Sequence, residues 1–299
     1  MRVRLFYAAC CLLWGSTWLF IKLGLRDLPP LTFAATRMSL AAAVLLPFAL
    51  RAGIGRLRRA ELQRMAAVGL LQIGIPYALL FVAQQWVPSS LSAVLFATFP
   101  VWLLLIARLL LPGQLLTAAK VAAAVLGFCG VAILQAPALR SASVETAAAL
   151  GGSLIVAAAS IVALANVLIR RTLTAISPVV LTFMQVFAGS LLLIALALLL
   201  ERGRTPVWSP RALGAVAYLA VFGTALPYLA LFWLLARVPV AAIGAIPLLD
   251  TTIAVALGAL VLREPVGWTL LGGGALVLTG AALANFTGAA KLETLPESP

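Results

Sequence analysis

Ten apolar runs, each about 20 residues long, dominate what this chain can fold into. They lie at Leu5–Leu25, Leu31–Leu50, Met65–Gln85, Ser89–Leu111, Thr117–Ala136, Ala147–Ile169, Ser177–Leu200, Arg211–Ala236, Val240–Leu262 and Val266–Phe286. At 1.5 Å per residue, such a run makes about 30 Å of helix, the thickness of a bilayer's hydrocarbon core. The runs are apolar on every face, whereas strands of a membrane barrel alternate over about ten residues. Most breaks carry proline, which resists continuing a helix: Pro29-Pro30, Pro88, Pro112, Pro137, Pro178, Pro206, Pro239 and Pro265. Charged residues make up only 10% of the 299, against about 25% in soluble proteins. The fold class is therefore all-α and integral to a membrane, with ten spans and no sizeable soluble domain.

Arg2 and Arg4 ahead of an apolar stretch imitate a signal peptide. The stretch runs on to Leu25 without an A-x-A site and carries Trp14 and Trp18, so it reads as a retained first span. The net charge of +13 does not mark a nucleic-acid binder. Its basic residues sit between apolar runs, where they report topology. With the N-terminus inside, the inner segments hold Arg2, Arg4, Arg51, Arg56, Arg58, Arg59, Arg64, Arg108, Lys120, Arg170, Arg171, Arg237 and Lys291. The outer ones hold Arg26, Arg140, Arg202, Arg204, Arg211 and Arg263. This bias puts both termini in the cytoplasm, across the plasma (inner) membrane.

The chain repeats itself. Pro76-Tyr77-Ala78-Leu79-Leu80-Phe81 matches Pro227-Tyr228-Leu229-Ala230-Leu231-Phe232, and Val87-Pro88 matches Val238-Pro239. The first two spans align with spans 6 and 7, Pro30 falling on Pro178. The halves are then residues 1–139 and 140–299, the second with a short cytoplasmic tail. Five is odd, so the copies cross the membrane in opposite directions. Two inverted five-helix repeats around a central cavity are a common plan of secondary transporters.

Trp14-Gly15-Ser16-Thr17 followed by Ile21-Lys22, Leu28-Pro29-Pro30 leading to Arg37, and Leu262-x-Glu264-Pro265 resemble EamA-type members of the drug/metabolite transporter superfamily. The resemblance runs from about Leu12 to Ala284. It implies ten helices, two inverted halves and export of small metabolites; one branch, the YddG-like exporters, moves aromatic and other amino acids. The chain departs from the family where L-G-E is usual, reading Leu111-Pro112-Gly113-Gln114. It departs again where L-E-P is frequent, reading Leu249-Asp250-Thr251, with the proline moved to Pro247.

Of the eight acidic residues, Asp250 alone lies deep in a span. Such a group normally faces protein or a cavity. It reads as a proton acceptor or a partner for a substrate ammonium, or else as a hydrogen-bonded structural aspartate. Arg37, about 9 Å into the second span, suits a substrate carboxylate; an ion pair with Asp27 or a capped helix end is the plainer reading. Lys22 either snorkels or functions. Trp14, Trp18 and Lys22 form one stripe. Trp14 and Trp18, with Trp102, Tyr77, Tyr228 and Ser92, are candidate cavity residues, against ordinary packing. Pro76, Pro100, Pro227 and Pro247 lie inside spans and are candidate kinks and gates. Gln84, Gln85, Ser89 and Ser90 read as solvated turn residues. Gly127, Gly130, Gly272, Gly273, Gly274 and Gly280 suit close helix packing.

There is no histidine, no phosphate loop and no paired catalytic groups, and Cys10, Cys11 and Cys129 have no metal spacing. An enzyme and a cofactor are not expected. The expected function is a secondary exporter of small metabolites, amino acids including aromatic ones, by alternating access, with proton coupling through Asp250. Export of organic cations or nucleosides, or a facilitative channel-like carrier, is the alternative.

Overall fold

A computed structural model describes residues 2–110, 117–140, 145–173, 175–235 and 246–289. Those residues are all-helical apart from turns. The helices are α1 (Arg2–Gly24), α2 (Pro30–Arg51), α3 (Arg59–Ala83), α4 (Ser89–Leu110), α5 (Ala118–Arg140), α6 (Glu145–Thr172) and α7 (Pro178–Leu200). Then come α8 (Pro210–Ala220 continuing through Val221–Ala225 to Leu226–Leu235), α9 (Ile246–Leu262) and α10 (Trp268–Ala289). Among the described residues nine helices are long and apolar enough to span a bilayer, and α9 is a shorter apolar helix. The expected start of the ninth span at Val240, and Val238-Pro239, lie outside the described residues. So does Leu111-Pro112-Gly113-Gln114.

Proline shapes these helices more than it ends them. Pro30, Pro178 and Pro210 occupy first-turn positions, where a missing N–H costs nothing. Pro137 is expected to stop the fifth span, yet α5 stays helical through it to Arg140. The proline removes a single bond of the ladder, its own N–H to the carbonyl four residues earlier, and the helix continues past it. In α3 and α8 the prolines widen the helix. Pro76 is preceded by a π-turn at Leu70–Gly74, and Pro227 by one at Val221–Ala225. Ile75 N–H reaches back to the Leu70 carbonyl and Leu226 N–H to that of Val221, one residue further than in an α-helix. This relieves the clash between a proline ring and the carbonyl four residues earlier. The two π-turns stand at the same offset as the Pro-Tyr repeat, so the internal likeness extends to backbone geometry. In α4 the helix breaks at Ala97-Thr98, just before Pro100.

The packing pairs helices five positions apart. α2 lies against α7 and α5 against α10. α1 packs on α8 and α9, as α6 packs on α3 and α4; α2 meets the π-turn of α8, as α7 meets that of α3. Each of these contacts has a counterpart with the halves exchanged. Small residues permit the closest approaches. A Cβ on Gly130 stands 2.7 Å from the Gly273 carbonyl oxygen, and one on Gly280 stands 2.7 Å from that of Ala123. Gly272, by contrast, faces open space. Outward-facing Leu109, Leu198, Leu200, Leu260 and Trp268 are exposed, as lipid-facing residues of a spanning bundle are.

Candidate functional site

Arg37 is the most distinctive side chain in the interior. The second residue of a Pro-Pro pair starts α2, which sets Arg37 seven residues in, about 10 Å along the axis. It is only 2% exposed, so no open cavity reaches it in this conformation. Its Nη2 donates to Thr224 Oγ1 at 3.2 Å. Thr224 sits in the π-turn of α8 and donates its own proton to the Leu219 carbonyl at 3.0 Å. The guanidinium carbon lies 5.2 Å from the Tyr77 ring centre and 5.9 Å from that of Phe81, both on α3. Tyr228 of α8 lies within electrostatic range of both Arg37 and Tyr77. Nε and Nη1 have no hydrogen-bond partner. A buried guanidinium normally finds a carboxylate, and none is bonded here. Asp27, its expected plainer partner, is engaged by Arg211 at 2.6 Å instead.

The site thus has elements from both halves: α2 and α3 supply Arg37, Tyr77 and Phe81, and α8 supplies Thr224 and Tyr228. The seam continues along α1. Trp14 meets Tyr228 edge-on at 5.7 Å, Ser16 Oγ and the Tyr218 hydroxyl share a 2.8 Å hydrogen bond, and Phe20 stacks on Tyr218 at 3.8 Å. Trp18 packs on Phe96 of α4. Arg37, Tyr77, Tyr228 and Trp14 therefore gather at one seam.

The remaining candidates make other contacts. Asp250, in the first turns of α9 as described, is half-buried. Its backbone carbonyl presses on Gly15, where a Cβ stands 2.8 Å from it. Its Oδ1 lies 3.4 Å from the Thr251 hydroxyl, whose one proton is better placed on the Pro247 carbonyl at 2.7 Å. Ser92 is buried and donates to the Pro88 carbonyl within its own helix, an ordinary packing arrangement. Trp102 stacks edge-on with Phe128 of α5, on a face shared with α5 rather than with Arg37. Pro76 and Pro227 each follow a π-turn; Pro100 follows the break in α4, and Pro247 is the second residue described in α9.

Sequence reasoning places Ser89 and Ser90 in solvent; both are buried. Glu264 explains it. Its carboxylate accepts from Ser89 N–H at 2.7 Å, Ser89 Oγ at 2.9 Å and Ser90 N–H at 2.9 Å. Gln84 is also fully buried, with both amide atoms unbonded, while Gln85 stays exposed. Lys22 neither snorkels freely nor meets a carboxylate at bonding distance. Its Nζ donates to the Gln84 and Val87 carbonyls at 2.6 and 2.9 Å, a cation closing the C-terminal end of α3. Lys22, Arg26, Gln84 and Glu264 border a recess of about 340 Å³ there. At the same end Glu201 accepts from Leu31 N–H, Thr32 N–H and Thr32 Oγ1 at 2.8, 2.7 and 2.7 Å. Asp27 also bonds Ser209 and Arg211. The motif around Glu264 is visible in sequence, but its partners 174 and 175 residues away are not.

Comparison with known proteins agrees with this architecture. A family model described as the EamA-like transporter family matches twice, at residues 2–135 and 149–286. The chain is 26% identical over 285 residues to YvbV of Bacillus subtilis strain 168, named an uncharacterized transporter, covering 95% of this chain and 92% of that protein. YoaV of the same organism, named likewise, is 22% identical over 290 residues, 96% of this chain and 98% of that one. A solved protein structure superposes with a TM-score of 0.59 at 23% identity, over 97% of this chain and 99% of the other, a likeness of fold. The chain belongs to the EamA-like transporter family, and is a membrane transporter by kinship and by its bundle of apolar helices.

Proposed function

We propose that the protein exports small metabolites, amino acids including aromatic ones, by alternating access between two inverted five-helix copies, with both termini in the cytoplasm. One observation carries the substrate reading. Arg37 is buried at the seam between the halves, walled by Tyr77 and Phe81, with two donors unbonded. A guanidinium matches a carboxylate through either of its forks, Nε with Nη2 or Nη1 with Nη2; each fork here pairs one unbonded donor with the Nη2 that has a second proton besides the one given to Thr224, and the rings beside it suit an aromatic side chain. The exchange of packing partners between halves supports the two-copy mechanism: if one arrangement closes one end, the mirrored arrangement closes the other. Asp250 serves this scheme as the coupling carboxylate.

The test is reconstitution into proteoliposomes with labelled aromatic amino acids, aliphatic amino acids, organic cations and nucleosides, with and without an imposed pH gradient. Saturable transport of aromatic amino acids, driven by the gradient in wild type and not in Asp250→Asn, is expected. Transport confined to organic cations or nucleosides overturns the substrate reading. Full gradient-driven flux in Asp250→Asn overturns the coupling role.

A further inference from the structure

α2 and α4 share a defect. The residue at each N-cap is a proline, Pro29 and Pro88, and neither has a side-chain cap bond. A helix start leaves several backbone N–H groups without intrahelical partners, and proline has no side-chain oxygen to receive them. Both helices are capped in trans. Glu201, just after α7, takes the Leu31 and Thr32 N–H groups; Glu264, just after α9, takes those of Ser89 and Ser90. Each carboxylate comes from the second half and each helix from the first. Each cap also takes one hydroxyl. At the opposite end, the Arg58 N–H is met by Glu61 within its own segment.

The chain is shaped to deliver Glu264. Arg263 is the one residue other than glycine with positive φ among those described, at 55°. This left-handed turn ends α9, and the Glu264 N–H returns to the Gly258 carbonyl at 3.1 Å. The carboxylate lies against Gly258, where a Cβ stands 2.5 Å from Glu264 Oε2 and 3.1 Å from Ser89 Oγ. A side chain on residue 258 therefore displaces the cap.

We propose that Glu201 and Glu264 are gate residues, a two-point latch that holds the two halves together at this end by capping α2 and α4 across the seam. The latch rests on the alternating-access reading, in which this end is the outer one and the other opens in turn. Charge-assisted bonds to backbone N–H groups are the strong class, and a helix loses its cap each time the latch opens. Burial pushes the Glu264 carboxyl up, but the bonds from Ser90 and Ser89 outweigh it and hold it below its ordinary value of 4.5. Lys22 and Arg26 border the same recess and add positive charge. The Glu264 point of the latch is therefore set at neutral pH. A depressed value means its contribution is complete above the ordinary carboxylate range and lost only as pH falls through the lower, folded value.

The test measures the gate rather than transport. Spin labels at Gln85 and Gly267, exposed loop positions from the two halves, report their separation in lipid nanodiscs. Glu264→Gln and Glu201→Gln are expected to raise the population of longer distances about tenfold each, and the double variant further. Gly258→Ala keeps the charge and favours the helix while pushing the carboxylate away from Ser89; it is expected to lengthen the distance too. Arg263→Gly relieves the left-handed strain and is expected to keep the short distance. Distances unchanged in the glutamine variants and Gly258→Ala overturn the latch, whatever the transport assay shows. Absence of transport with distances that shift as expected overturns the function and leaves the latch standing.

Discussion

Replacing Arg37 with methionine separates the two jobs a buried guanidinium can do. As a structural strut, Arg37 gains one charged hydrogen bond to Thr224, about 1.5–3 kcal/mol. It gains two desolvated ring contacts at 5.2 and 5.9 Å, about 1–2 kcal/mol each. Against these about 4–7 kcal/mol stands the loss of hydration of a cation with two unbonded donors, itself several kcal/mol. The terms cancel to within about 2 kcal/mol, and methionine fills similar volume without a charge. The expected shift in melting temperature is therefore within about 5 °C either way. Transport behaves differently. Two charge-assisted bonds to a substrate carboxylate amount to about 3 kcal/mol or more, so KM for an aromatic amino acid rises about 100-fold or more. Unfolding followed by tryptophan fluorescence in detergent, beside initial rates in proteoliposomes, reads both. A fall of more than about 10 °C with KM unchanged in the surviving protein would refute the reasoning and make Arg37 a strut.

Three further outcomes are expected. Gly273→Leu drives a side chain into α5, where even an added Cβ would stand 2.7 Å from Leu134 Cγ; it should abolish a monodisperse peak in size-exclusion chromatography. Gly272→Ala meets open space and should raise stability by up to about 1 kcal/mol. Hydrogen bonds from Arg211 and Ser209 hold Asp27 at about 2, so its link to α8 is complete above the ordinary carboxylate range and is lost only as pH falls through about 2. Protection of the Val207 amide, which donates to the Asp27 carbonyl at 3.0 Å, should therefore persist at pH 4, after correction for intrinsic exchange, and drop in Asp27→Asn at neutral pH.

Hydropathy places the spans because a helix in lipid must be apolar all round, and that condition is local in sequence. The Pro-Tyr repeat likewise foretells paired irregularities at Pro76 and Pro227. It does not foretell π-turns, because proline tells where a bond is missing and not how the backbone recovers it. Arg37 is conspicuous as a cation inside a span, yet Thr224 becomes its partner only once α8 is folded against α2. The capping carboxylates are harder still. Glu201 and Glu264 lie outside the apolar runs, and Ser89 and Ser90 read as wet, until folding joins segments about 170 residues apart. The available clue is negative: a helix beginning after Pro29 or Pro88 has no cap of its own and needs one from elsewhere. Trp102 shows the converse, since depth in a span says nothing about which neighbour a side chain faces.

The most direct test of the transporter account is counterflow. Proteoliposomes loaded with unlabelled phenylalanine or tryptophan are diluted into a trace of the labelled compound. A transient overshoot of label that saturates with internal concentration and disappears in Arg37→Met is expected of such a carrier. Label that merely equilibrates, at the same rate in loaded and empty vesicles and equally in Arg37→Met, contradicts the account.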